Sequence, residues 1–250
     1  MSQPPTSLRP PSHIVAAGLA VPTIRYVWRD WQEVAIYRTS EADDALLERL
    51  DELPYRALLG LTIAAAEWIV YRYEGLADIG MHLQYIEAAW ATTVDDRYLR
   101  TWDPDEDECS GPLHGPLAYA MVIVQDAVHA SAMESEAGLP VVYVSNLAQR
   151  VLPAFEPFKA WRDGAIERLL ALALRDWHDT LGEVVPREFF DAAEGFVPAQ
   201  REALVRRFMH GLDTQVNPWL HTSEELELQH FDGPLFDFDA AGDREARELG

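Results

Sequence analysis

The chain has 250 residues, 48% of them hydrophobic, and its 42 acidic residues outnumber its 20 basic ones to give a formal net charge of −22. This apolar content is enough to bury a sizeable core, which predicts a globular protein. The charge disfavours direct binding to nucleic acid or to an anionic membrane surface, because both depend on clustered Lys and Arg side chains.

The N-terminal residues 1–23 are rich in proline and are predicted to form an arm ahead of the folded domain. The short apolar run at 14–21 lacks a basic region directly before it, which disfavours a signal peptide. Two other apolar segments, 57–70 and 116–133, contain charged residues, so neither is predicted to span a membrane. Cys109 is the only cysteine and can form no internal disulfide, which suits a cytoplasmic protein.

The first predicted helix follows Ser40, a residue type that caps helix N-termini. Glu41, Asp43 and Asp44 would then lie in the first turn, where the helix dipole favours acidic side chains. Pro54 is expected to end this helix, because proline lacks the N–H group that a helix interior requires.

Hydrophobic periodicity predicts further helices, four of which are expected to form the centre of the protein: 55–73, 76–93, 116–134 and 155–179. A final helix is predicted over 198–212, with Pro198 in its first turn. Segments 24–31 and 139–147 fit either a strand or a helix, and a helix is favoured for both. The sequence therefore predicts an all-α fold, a compact single domain of bundle-like helices over residues 24–220.

An acidic C-terminal tail, 221–250, is predicted after the helical domain. Acidic and aromatic residues are mixed there, which indicates a tail that docks in part on the domain through Trp219, Phe231, Phe236 and Phe238. No internal repeat and no long linker interrupts the chain, so one domain is favoured over two.

The segment DPDEDECSGP at 103–112 is the most acidic stretch and is predicted to be a loop between helices. Its six positions from 103 to 108 hold five carboxylates: Asp103, Asp105, Glu106, Asp107 and Glu108. They do not fit an EF-hand, because the position that requires glycine is Glu108 and the twelfth position is His114. We expect a recognition loop for a basic protein surface, with Trp102 as an aromatic anchor at its edge. A solvated connection between two helices is the structural alternative.

Two Gly-Pro pairs follow this loop, Gly111-Pro112 and Gly115-Pro116. Because Gly-Pro dipeptides are typical of turns, a double turn is predicted that leads into a helix with Pro116 in its first position. Such a turn would hold His114 at the rim of the core, beside the acidic loop.

Three Asp/His pairs offer an alternative, enzymatic interpretation. Their spacings of three or four residues place both side chains of a pair on one helix face, and the six residues are Asp78, His82, Asp126, His129, His210 and Asp213. If the three faces converged inside a bundle, they would form the metal site of a hydrolase. Each pair by itself is more often a local ion pair. Glu67 and Glu87 are lone acids in apolar helices, where a hydrogen bond to a neighbouring Tyr or Arg is their expected role.

The function predicted from these features is that of a binding protein rather than an enzyme. No Gly-rich phosphate loop, G-x-S-x-G, H-E-x-x-H or C-x-x-C motif is present, and no cofactor is predicted. In composition, though in no single motif, the chain resembles bacterial immunity proteins and antitoxins that neutralise basic toxins. We expect it to neutralise or regulate a basic protein partner, with the acidic clusters 41–52, 103–108 and 224–248 as its footprint. The alternatives are a metal-dependent hydrolase, a non-catalytic scaffold, and a protein whose acidic residues serve only its solubility.

Overall fold

Helices account for most of the computed structural model, which describes residues 8–29, 35–103, 109–172 and 179–229. Within these ranges the chain is all-α and forms a single domain, as the sequence predicts. The α-helices in this part are, in chain order, α1 (Ser12–Ala17), α2 (Glu41–Leu50), α3 (Tyr55–Arg72), α4 (Gly80–Ala91), α5 (Gly111–Ala132), α6 (Gly138–Val151), α7 (Glu156–Ala171), α8 (Arg201–His210) and α9 (Ser223–Leu228).

Helix α3 lies at the centre of the domain. Every residue from Ala57 to Arg72 is buried, as expected of a helix that is apolar on all sides. It contacts α5 and α6 most extensively, and it also contacts α4 and α7. Gly60 allows the Phe190 ring to approach closely, because a Cβ atom at that position would lie 3.2 Å from the ring. The predicted core helix at 55–73 is therefore confirmed.

The other predicted helices are present with shorter or shifted boundaries. Segment 139–147 is helical within α6, and the predicted helix at 198–212 consists of a 3-10 turn, Pro198–Gln200, followed by α8. Helix α4 covers the middle of the predicted 76–93, and α7 ends at Ala171, with residues 173–178 outside the described ranges. The boundaries differ from the predicted ones because a helix ends where its capping contacts end it, and hydrophobic periodicity contains no information about those contacts.

The double turn predicted at the two Gly-Pro pairs is wrong, because residues 111–116 belong to α5. Pro112 is tolerated in the first turn, where N–H groups have no partner within the helix. Pro116 lies inside the helix, and its missing N–H would leave the carbonyl of Pro112 without a helical donor. The Tyr26 hydroxyl donates to that carbonyl at 2.5 Å, so a tertiary contact replaces the lost hydrogen bond.

The helix favoured for 24–31 is also wrong, since residues 24–29 form irregular structure and 30–31 are not described. Trp28 packs against α5 at Gly115, where a Cβ atom would lie only 2.2 Å from the indole nitrogen. Just before this segment, the Arg72 guanidinium donates to the carbonyls of Val21 and Thr23 at 2.8 and 2.9 Å. These contacts with α3 and α5 hold the chain extended.

The N-terminal residues from Leu8 to Thr23, predicted as an arm, lie on the domain. Three of their apolar side chains are buried in the core: Leu8, Ile14 and Leu19. The Ser12 backbone N–H and hydroxyl donate to the Asp191 carboxylate at 2.6 and 2.5 Å. The described part of this arm is therefore continuous with the core.

The first part of the predicted C-terminal tail also docks on the domain. Leu226 of α9 is fully buried, and the Arg100 guanidinium contacts the Glu225 carboxylate at 2.6 Å. Trp219 packs against Tyr85 with a ring-centroid distance of 5.2 Å. The three predicted phenylalanine anchors lie beyond the described residues, and no helix in the described ranges is long and apolar enough to cross a membrane.

Candidate partner-binding surface

Trp102, the predicted aromatic anchor, is buried rather than presented to a partner. Its side chain is 5% exposed, and its ring lies 4.8 Å from Trp219 and 5.0 Å from Tyr85, measured between centroids. The imidazole of His82 lies 5.6 Å away on another side. The sequence identified Trp102 only by its position beside an acidic stretch, whereas the aromatic residues that cover it come from α4 and from the segment before α9.

The acidic loop begins at a fixed point on the domain. The Trp102 backbone N–H donates to the Gln125 side-chain oxygen at 2.5 Å, which ties the chain to α5 just before the loop. Asp103 is exposed. Four of the predicted binding residues lie outside the described residues: Asp105, Glu106, Asp107 and Glu108. Recognition of a basic surface by this loop stays a prediction.

The three Asp/His pairs do not come together. Within the described ranges, no group of three or more His, Cys, Asp or Glu side chains is arranged to hold a metal ion, which does not support the alternative in which these pairs converge. His82 is buried, and burial together with nearby His114 lowers its pKa to about 4. Its partner in sequence, Asp78, instead accepts a hydrogen bond from the Gly80 backbone at the start of α4.

The other two pairs lie at or near the surface. Asp126 is half-buried on α5, and burial raises its pKa, while His129 on the same helix is exposed. His210 and Asp213 are exposed, and the Asp213 carboxylate accepts a hydrogen bond from the Gln215 backbone N–H at 2.8 Å. These positions indicate local structural roles.

The two lone acids in the core helices have structural partners. The Glu67 carboxylate accepts two hydrogen bonds from the Arg187 guanidinium at 2.7 and 2.6 Å and one from the Trp90 indole N–H at 2.8 Å. Glu87 accepts a hydrogen bond from the Asn217 amide at 3.0 Å. The predicted bond from Glu67 to an arginine is confirmed, and the pair satisfies a charge that would otherwise be costly to bury.

An acidic face formed by α2 and the two residues that follow it carries five exposed carboxylates. We define this α2 face by Glu41, Asp44, Glu48, Asp51 and Glu52, all of which are exposed. Glu41, Asp44 and Glu48 are three and four residues apart, which aligns them on one side of α2, and Asp51 and Glu52 follow its C-terminal end. The opposite side carries Leu46 and Leu50, which are buried in the core. The face points to solvent because the apolar residues of the same helix face inward.

The start of α2 is fixed by its cap. Both the backbone N–H and the hydroxyl of Ser40 donate to the Asp43 carboxylate at 2.7 Å. The helix also contacts α6, which holds it against the domain. The acidic side chains are therefore carried by a helix with a defined position, as capping residues predict from sequence.

None of the five carboxylates forms an ion pair with any described residue. Arg49 is the one basic residue in the acidic cluster 41–52, and it reaches away to Glu167 of α7 at 2.6 Å. The other ion pairs in the described part of the chain join residues outside α2. Repulsion along the face is thus not relieved internally, and it amounts to about 1 kcal/mol for two charges 4 Å apart in water.

A cavity of about 300 Å³ lies beside the C-terminal end of this face, between α2 and the start of α6. Its walls are about half apolar, and its acidic lining residues are Asp51 and Glu136, both exposed. We call it the α2–α6 cavity and define it by Leu53, Tyr55, Leu58, Leu139, Asp51 and Glu136. Carboxylates beside an apolar wall suit a ligand that has an apolar stem and a cationic end.

The backbone next to this cavity adopts an unusual conformation. Glu134 and Glu136 have φ values of 50° and 46°, in the left-handed region that non-glycine residues rarely enter. The Tyr55 hydroxyl donates to the Glu134 carbonyl at 2.5 Å, and the Thr180 hydroxyl donates to the Glu134 carboxylate. These contacts attach Glu134, two residues before Glu136, to Tyr55 and Thr180, which both line the cavity.

Sequence reasoning identified only part of this surface. The cluster 41–52 was recognised by its charge, but Glu136 and the apolar walls of the cavity were not. They come together only when the start of α6 packs beside the end of α2 and the start of α3, and no local sequence pattern indicates that contact. Comparison of the chain with protein-family models, curated proteins and solved structures gives no match.

Proposed function

We propose that this protein is an acidic helical binding protein that neutralises or regulates a basic protein partner, as immunity proteins and antitoxins do. The observation that carries the proposal is the α2 face, with five exposed carboxylates that have no ion-pair partner among the described residues. A cytoplasmic location belongs to the same proposal, because a single cysteine suits a reducing compartment.

The electrostatics of the α2 face favour rapid association with a basic surface. A cationic partner relieves the repulsion between neighbouring carboxylates and is steered by the net charge of −22. Such steering raises association rates by roughly ten- to a thousandfold and falls steeply with ionic strength. Because α2 is capped and packed before binding, little conformational entropy is lost when the partner arrives.

Apolar contact is available close to the charged face. Met133 is 78% exposed at the end of α5, next to the loop that carries Glu134 and Glu136. A flexible thioether adapts to differently shaped partner surfaces. Charge would therefore guide the encounter, while Met133 and the α2–α6 cavity would provide short-range contacts that slow dissociation.

Affinity capture with charge-matched variants tests the proposal. The protein is immobilised and exposed to native extract at about 0.05 M and about 0.5 M salt, where surface electrostatics differ strongly. The test variant is Asp44→Asn/Glu48→Gln on the α2 face, and the control is Glu74→Gln/Glu194→Gln, which removes the same formal charge from exposed positions outside the three acidic clusters.

We expect a basic protein to be retained by the wild type and the control at low salt and released at high salt. The purified pair should associate at least about fivefold more slowly when the α2 face carries the substitutions, and nearly unchanged with the control. Capture of no basic protein, or equal slowing by both variants, would count against the α2 face as the binding surface.

A further inference from the structure

We infer that the α2–α6 cavity receives a single arginine side chain of the basic partner, an inference that rests on the proposed function and names the group recognised at that surface. The cavity lies at the end of the α2 face, so a basic surface that covers the face also covers its opening. Its volume of about 300 Å³ is at the lower limit of ligand pockets, roughly 300 to 1,000 Å³, which suits one side chain.

The lining of the cavity matches the two chemical parts of an arginine side chain. Leu53, Leu58 and Leu139 offer apolar walls to the methylene stem, which gains free energy by leaving water. Asp51 and Glu136 supply carboxylates to the guanidinium group, and neither forms an ion pair with a described residue. The two acids come from different elements, one following α2 and the other preceding α6, so one bound cation would contact both elements.

Arginine fits this cavity better than lysine for two physical reasons. The guanidinium group is planar and weakly hydrated, so it stacks on aromatic rings and is moved out of water at lower cost than an ammonium group. The ring of Tyr55 lines the cavity, and its hydroxyl is fixed by the bond to the Glu134 carbonyl. Guanidinium also donates paired hydrogen bonds to a carboxylate, which lysine cannot do.

The test compares two hexapeptides that differ only in carrying arginine or lysine at their basic positions. Binding to the full-length protein is followed by nuclear magnetic resonance titration of backbone amides, at low and high salt. The variants are Asp51→Asn, which changes the cavity, and Asp44→Asn, which removes the same charge from α2, outside the cavity. Both positions are exposed, so neither substitution disturbs the core.

We expect the arginine peptide to bind several-fold more tightly than the lysine peptide and to shift the amides of Asp51, Glu136 and Leu139. Asp51→Asn should weaken arginine-peptide binding about tenfold, the effect of losing a hydrogen bond to a charged group. Asp44→Asn should weaken it about twofold, and only at low salt.

The outcomes separate this inference from the proposed function. Equal affinity for both peptides, with equal weakening by both variants, would overturn the arginine site and leave the acidic face as a binding surface. Failure of both peptides to bind at low salt would contradict the acidic face, and with it the proposed function.

Discussion

Removing the positive charge of Arg187 should destabilise the protein, because it leaves the Glu67 carboxylate buried without a cation. The Glu67 side chain is 1% exposed, and the Arg187 side chain is 22% exposed. Breaking a buried ion pair by deleting one partner costs about 3 to 5 kcal/mol. We expect Arg187→Met to cost about 3 kcal/mol, at the lower end of this range, because water reaches part of the guanidinium.

The measurement is urea unfolding followed by circular dichroism, together with the thermal midpoint. For a domain of this size, each 1 kcal/mol shifts the midpoint by about 2 to 4 °C, so a decrease of about 6 to 12 °C is expected. A matched control is Arg206→Met, which removes an arginine paired with Glu202 at the surface, where the side chains are 58% and 85% exposed. This control should change stability by less than about 0.5 kcal/mol.

A double variant distinguishes an unpaired charge from lost packing. Glu67→Gln/Arg187→Met removes both charges and keeps a side-chain oxygen that can accept the Trp90 indole N–H. It should recover more than half of the loss, because the uncompensated buried carboxylate is gone. If Arg187→Met costs less than about 1 kcal/mol, or if the double variant is no more stable than the single one, the reasoning is refuted.

Three other predictions follow from the core and the loop. Leu169→Ala should reduce the free energy of unfolding by about 2 to 5 kcal/mol, since Leu169 is fully buried in α7, and a loss below about 1 kcal/mol in urea unfolding would contradict a central position. Because the pKa of His82 is lowered to about 4, the unfolded chain takes up the proton that the folded one excludes, so stability should fall by up to roughly 3 kcal/mol between about pH 6.5 and about pH 4. Unfolding curves of His82→Gln should lack that contribution. Replacing the acids of the loop 103–108 by amides should leave the unfolding curve nearly unchanged, but it should slow association with the partner and make the association rate less dependent on salt. If the association rate at low salt is unchanged, the loop is only a solvated connection between helices.

The proposed binding surface differs from the other acidic clusters in the ion pairs that its carboxylates form. The sequence contains three acidic clusters that look equally suited to a basic partner. In the described part of the chain, Glu225 of the C-terminal cluster contacts Arg100, whereas the α2 face forms no ion pair. The clusters are therefore distinguished by whether their carboxylates form ion pairs within the protein, and not by their local charge density.

The sequence alone determined the features that arise from neighbouring residues. The Ser40 cap with Asp43 marks the start of α2, and the predominantly apolar sequence of α3 indicates a helix buried on every side. Both signals are local, because capping needs residues within one turn and a helix buried on all sides carries apolar residues around its whole circumference. The all-α fold follows from several such segments in succession.

Only the tertiary structure decided the features that join distant parts of the chain. Glu67 meets Arg187 across 120 positions, Trp102 is covered by Trp219, and Tyr26 compensates for the proline inside α5. The α2–α6 cavity likewise exists only because segments distant in sequence, including Leu58 of α3, Leu139 of α6 and Thr180, pack together. Such contacts depend on how the helices are placed in space. Hydrophobic periodicity and residue type do not determine that placement, because many different packing partners would satisfy the same local pattern equally well.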